Sequence, residues 1–73
     1  VNRGAVIIER ERTARGWSNQ QLAAEIGTDE GMTSRVRRGK AKPGRELSVR
    51  IRDRLGIDPA LWDQEAEPEK GAA

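Results

Sequence analysis

Trp17-Ser18-Asn19-Gln20-Gln21-Leu22-Ala23-Ala24-Glu25-Ile26-Gly27-Thr28-Asp29-Glu30-Gly31-Met32-Thr33-Ser34-Arg35-Val36-Arg37-Arg38 is the stretch on which the fold turns. It predicts two short helices joined by a tight turn. Ser18 is placed to cap the first, and Gln21, three residues on, can reach back to complete a capping box. Leu22, Ala23 and Ile26 fall on one face at helical spacing. Gly27 stands where the helix needs a left-handed residue, a conformation that a side chain resists. Thr28 is expected to cap the second helix, with Asp29 and Glu30 in its first turn, where the helix dipole favours acids. Met32, Thr33 and Val36 gather on its inner side. Glu30, Gly31, Ser34 and Arg38 lie opposite, flanked by Arg35 and Arg37.

Two helices, a short glycine-containing turn and a second helix with a polar outer face form the helix-turn-helix pattern, whose second helix can enter the DNA major groove. A plain helical hairpin inside a small bundle is the alternative. The spacing favours the former. Ala23 lies four residues before Gly27, where the helices cross and only a small side chain fits. Leu22, Ile26, Thr33 and Val36 occupy the positions that seal the pair. In a groove, Arg suits bidentate contact with guanine, Glu accepts from cytosine N4, and Ser bonds to several bases.

Charge supports the same direction. The net charge of +2 conceals thirteen Lys/Arg against seven Asp/Glu in residues 1–57, and one Lys against five acids in residues 58–73. Residues 35–54 alone carry nine basic side chains and two acidic ones. Such a run is often only a solvated face. This one follows the outer helix directly, where a phosphate backbone would pass.

Seventy-three residues allow one domain with a modest core. Phe, Tyr, Cys and His are absent, so Leu, Ile, Val, Ala and two Trp must build that core. No strand signal appears, and the expected class is all-α. Without Cys there is no disulfide or thiolate metal site, and no cofactor is implied. Without His or Cys an enzyme lacks its commonest base and nucleophile. Ser18, Ser34 and Ser48 have no base partner, and Glu65, Glu67 and Glu69 belong to an acidic tail rather than a cleft. No phosphate-cradling glycine loop is present. No apolar run approaches membrane-spanning length and no signal peptide is visible, so a soluble, cytoplasmic protein is the expectation.

Along the chain, residues 1–3 read as frayed. A first helix is expected over about 4–15, ended by Gly16, with Val6, Ile7 and Ala14 on its buried side, joined by Ile8, and with the imperfect stripe leaving open whether Ile7 or Ile8 is the more buried. Trp17 should pack between the first and second helices. After the third helix, over about 29–38, Gly39 to Gly44 form a loop. A fourth helix follows to Leu55, with Leu47, Ile51 and Leu55 as its stripe and Gly56 as its stop. Asp58 and Pro59 suit the start of a short fifth helix that brings Leu61 and Trp62 to the core. Residues 1–62 thus form the domain. Residues 63–73 read as a flexible, disordered acidic tail.

These residues resemble the lambda-repressor-like, or Cro-type (XRE), helix-turn-helix proteins, from about Ile8 to Trp62. The resemblance is carried by Arg15-Gly16-Trp17-Ser18, Gln21-Leu22-Ala23, Ile26-Gly27, Ser34-Arg35-Val36-Arg37-Arg38-Gly39-Lys40 with Pro43, and Leu55-Gly56-Ile57-Asp58-Pro59-Ala60-Leu61-Trp62. It implies a compact five-helix domain that regulates transcription in phage, plasmid or bacterial settings. Such proteins often act as homodimers on pseudo-palindromic double-stranded DNA. By position it places Asp29, Glu30, Gly31, Ser34 and Arg35 against bases. Asn19, Gln20, Lys40, Lys42 and Arg45 fall against phosphates, with Arg37 and Arg38 as further phosphate candidates. Ile57, Leu61 and Trp62 are either a dimer surface or core.

The chain departs from the family in three places. Asp29 and Glu30 put two acids at the tip of the reading helix. Gly31 costs about 1 kcal/mol of helix propensity relative to Ala. Arg37 stands where many members carry a Glu that pairs with an Arg matching Arg12. That bridge cannot form here, leaving Arg37 for a phosphate or a nearby acid. The leading expectation is a sequence-specific DNA-binding regulator. A DNA-binding module working with a protein partner through the acidic tail, such as a packaging subunit or an antitoxin, is the second. A helical interaction domain that has lost DNA binding is the third.

Overall fold

A computed structural model describes residues 1–66. The described residues form four α-helices: α1 (Arg3–Arg15), α2 (Asn19–Ile26), α3 (Glu30–Arg37) and α4 (Arg45–Leu55). A five-residue 3-10 helix, Pro59–Asp63, follows. No strand forms among the described residues, only an isolated bridge between Asn2 and Glu65. The place expected for a fifth helix is therefore taken by a 3-10 turn. Asp58 caps it, accepting from the Ala60 N–H at 2.9 Å, and Pro59 supplies the fixed φ of a first helical position.

The capping box at Ser18 forms in both directions: the Gln21 N–H donates to Ser18 Oγ at 3.1 Å, and the Ser18 N–H to Gln21 Oε1 at 2.8 Å. At the other end of α2, Gly27 adopts φ +74° and the Thr28 N–H turns back to the Ala23 carbonyl at 3.0 Å. That closure decides the next cap. Thr28 is consumed in ending α2, so Asp29, not Thr28, caps α3, its Oδ1 accepting from the Met32 N–H at 2.6 Å. One residue of turn is thereby added between the helices.

Ala5, Ile8, Leu22, Ile26, Val36, Ile51, Ile57 and Trp62 form the core, with Leu47 at its edge. Leu22 and Ile26 of α2 and Thr33 and Val36 of α3 are fully buried, as the spacing predicts, and Ala23 is buried as well. Thr33 is tolerated there because its Oγ1 donates to the Asp29 carbonyl at 2.8 Å, leaving no unpaired hydroxyl. Trp17 is half-buried against the core, with the Arg15 guanidinium over its ring at 5.2 Å.

The buried side of α1 differs from expectation. Gly4, Ala5 and Ile8 face inward, Ile7 is half-buried, and Val6 and Ala14 are exposed. Small residues decide this. Trp62 lies flat on α1 at Gly4, where a β-carbon would sit 2.3 Å from Trp62 Cε3. Only the face carrying Gly4 and Ala5 admits the indole, and Ile8, three residues beyond Ala5, follows it inward. Ile57 and Trp62 are thus core residues rather than a dimer surface, while Leu61 is half-buried beside them.

The ends also depart from the sequence reading. Asn2 is buried and caps α1, accepting from the Ala5 N–H at 2.7 Å. The Arg3 N–H donates to the Gln64 carbonyl at 2.8 Å, and the Ala66 N–H to the Val1 carbonyl at 2.9 Å. Residues 1–3 are therefore paired rather than frayed. Asp63 belongs to the 3-10 helix and residues 64–66 run along the first residues, so the expected tail does not begin at 63. Residues 67–73 lie outside the described residues.

Candidate nucleic-acid interface

The outer surface of α3 is built by what lies beneath it. With Thr33 and Val36 buried and Met32 half-buried, Glu30, Gly31 and Arg35 are exposed, and Ser34 is half-exposed between them. Asp29 is exposed at the tip, with Oδ1 engaged in the cap. Glu30 has no hydrogen-bond or ion-pair partner for its carboxylate among the described residues. Only its backbone carbonyl is used, accepting from Asn19 Nδ2 at 3.1 Å. Above Gly31 the surface is open. The nearest atoms to a β-carbon built there are Asp29 Oδ1 at 3.4 Å and Arg35 Nη1 at 3.6 Å. Gly31 is thus a gap over which an acid and a guanidinium face each other.

Gln20 at the start of α2, Arg38 at the end of α3, Lys40 and Lys42 in the loop that follows it, and Arg45 opening α4 are exposed as well. Gly39, at φ +75°, turns the chain into that loop. Lys42 is within 3.1 Å of Asp63, a contact between two exposed side chains of the kind that contributes about 0–1 kcal/mol.

Two of the expected phosphate contacts have other work. Arg37 turns inward, its Nε donating to Glu9 Oε1 at 2.6 Å and its Nη2 to Oε2 at 3.4 Å. Its Nη1 donates to Asn19 Oδ1 at 2.9 Å. The same Glu9 carboxylate accepts from Arg12 Nε at 3.1 Å and Nη2 at 2.6 Å, and Arg12 Nη1 reaches the Trp17 carbonyl at 2.7 Å. Glu9 therefore serves two guanidinium groups and ties α1 to α3. These hydrogen bonds, first from Arg12 and then from Arg37, lower its pKa to about 2. The pairing in turn raises Arg12. The acid that the resemblance implies at position 37 is absent, and Glu9 supplies one from α1 instead, so an ion pair joins α1 to α3 with its acid on α1 and its guanidinium on α3.

Asn19 is likewise engaged on both ends of its amide, by the Glu30 carbonyl and by Arg37. It fastens the first residue of α2 to the first and last turns of α3. Glu9 and Asn19 as positioning groups, and Arg50, which donates to the Ile26 and Gly27 carbonyls at 3.1 and 3.4 Å, escaped the sequence reading. Their partners lie 11–28 residues away, beyond any local pattern. Glu9 and Arg12 at i, i+3 were the one available hint.

A family model described as helix-turn-helix matches residues 8–62. The chain belongs to that family, the Cro/XRE type of DNA-binding helix-turn-helix protein. Comparison with curated proteins finds no match, and comparison with solved structures finds none. The family's domains bind double-stranded DNA and often dimerise, and it is not typically enzymatic. Among the described residues no helix is long and apolar enough to cross a membrane.

Proposed function

We propose that this protein is a sequence-specific regulator of transcription that binds double-stranded DNA with α3 in the major groove. The observation that carries this reading is the unpartnered outer face of α3, flanked on its C-terminal side by an exposed basic edge. Glu30, Gly31, Ser34 and Arg35 meet bases, with Asp29 at the rim holding the helix tip. Gln20, Arg38, Lys40, Lys42 and Arg45 meet phosphates. Asn19 and Arg37 act by fixing α2 and α3 relative to each other, and the first backbone N–H groups of α2 remain available to a phosphate. Two copies on a pseudo-palindrome give the symmetry expected of the family.

The experiment is a binding titration on a selected duplex at several salt concentrations. With four phosphates neutralised per copy, by Arg38, Lys40, Lys42 and Arg45, log K should fall with log salt at a slope of about −4 for one copy and about −7 for two. Binding that does not respond to salt would end this reading.

The Lys42–Asp63 contact favours one variation. It sets the first acid of the C-terminal segment against the basic loop, so that segment can screen the loop or engage a protein partner. On this variation Asp63→Asn combined with removal of residues 67–73 raises DNA affinity or abolishes partner binding. No change in either removes it.

A further inference from the structure

We infer that Glu30 makes α3 select cytosine, through the N4 amino group, at one position of each half-site, with Asn19 setting its register. The inference rests on the DNA-binding reading above and assigns that face a chemistry.

An acid at the tip of a DNA-reading helix demands an explanation, because it repels every phosphate it passes. Two acids stand here, and the structure separates their tasks. Asp29 spends one carboxylate oxygen on the Met32 N–H as the cap of α3. Glu30 is exposed, its carboxylate having no partner among the described residues, so both oxygens are available. Its backbone is held more firmly than its side chain. The Glu30 carbonyl accepts from Asn19, and Asn19 also accepts from Arg37. The residue that opens α2, beside the phosphate-facing edge, therefore fixes how far Glu30 stands from the DNA backbone. Gly31 next to it raises no side chain, so the groove floor can approach.

A carboxylate only accepts hydrogen bonds. In the major groove, guanine presents acceptors at O6 and N7, and thymine presents O4 and a methyl group. Neither can satisfy it. Adenine N6 is a donor, but it lies between its own N7 and the O4 of the paired thymine, two acceptors that repel an anion. Cytosine N4 has an acceptor on one side only, the O6 of its guanine. Cytosine is the base edge a free carboxylate fits best. On any other base Glu30 would be stripped of water and left unpaired, which makes it a penalty against wrong sequences as much as a contact with the right one.

The test is selection from a random double-stranded DNA library, with the parent, Glu30→Ala, Glu30→Gln and Asn19→Ala run at one salt concentration. Binding to the selected duplex and to scrambled DNA is then measured. The parent motif should hold a cytosine whose replacement costs about ten-fold or more in affinity. Glu30→Ala should keep the rest of the motif, become indifferent at that base and bind scrambled DNA more tightly. Glu30→Gln should shift the position toward adenine, whose N6 and N7 an amide can bridge. Asn19→Ala should weaken the cytosine preference while leaving the basic edge able to bind. Because Glu30 is exposed, its variants keep the fold, and a thermal melt confirms this. A parent motif that Glu30→Ala leaves unchanged overturns this inference alone. A parent that enriches no sequence overturns the DNA-regulator reading together with it.

Discussion

Replacing Glu9 with Gln should destabilise the fold in a pH-dependent way. The amide keeps the size of the carboxylate but removes the charge that two guanidinium groups share. Arg12 and Arg37 have side chains only 21% and 23% exposed, so neither recovers full hydration when its partner is neutralised. Holding Glu9 at about 2 rather than 4.5 corresponds to a ceiling of about 3 kcal/mol, at 1.36 kcal/mol for each pKa unit. The Glu9 side chain is 40% exposed, and solvent screening reduces the expected effect to about 1–2 kcal/mol. The sign follows from linkage. The folded pKa is depressed, so the stabilisation is fully present above the unfolded value near 4.5. It is lost as pH falls from there through about 2. Urea unfolding followed by the fluorescence of Trp17 and Trp62 measures it. At pH 7 Glu9→Gln should be less stable by that amount, with a melting temperature lower by about 4–8 °C per kcal/mol. Near pH 2 the two proteins should converge. Equal stability at pH 7, or a gap that persists undiminished at pH 2, would refute the reasoning.

Two further substitutions test packing and the groove face. Gly4→Ala drives a methyl into the Trp62 ring, to 2.3 Å before any relaxation, and should cost about 1–3 kcal/mol by the same urea titration. Gly31→Ala meets nothing closer than 3.4 Å in the free protein and should stabilise α3 by up to about 1 kcal/mol. If open space at Gly31 serves the groove, DNA affinity should fall as stability rises, which a melt and a binding titration on the same sample will separate.

What was legible in the sequence is what neighbouring residues determine. The capping box at Ser18, the left-handed stops at Gly16, Gly27 and Gly56, and the Leu47–Ile51 stripe of α4 each depend on contacts within one or two turns. The pairing of α2 with α3 was readable because its inner residues repeat at helical spacing on both sides of a short turn. The cap of α3 was misplaced by one residue because Thr28 and Asp29 are both good caps. The choice is made by the backbone of Gly27-Thr28, which the side chains do not advertise. Val6, Ile7 and Ile8 are three consecutive apolar residues that span more than half of the helix circumference. Nothing local decides which turns inward, and the answer comes from Trp62, more than fifty positions away. For the candidate site, exposure of Glu30, Gly31 and Arg35 follows from the burial of Thr33 and Val36. The inward turn of Arg37 required knowing that Glu9 arrives beside it.

The pairing of the first and last described residues has a consequence for the order in which the molecule assembles. The Arg3–Gln64 and Val1–Ala66 hydrogen bonds close a loop of nearly the whole described chain. Closing it early would cost the most chain entropy for the least buried surface. The helix pair of α2 and α3, whose contacts are close in sequence, can form without it. The ends are thus the last latch to fasten and the first to open. Weakening them should leave the folding rate almost unchanged and show as faster unfolding, with hydrogen exchange at Arg3 and Ala66 running well ahead of exchange at Leu22 and Val36.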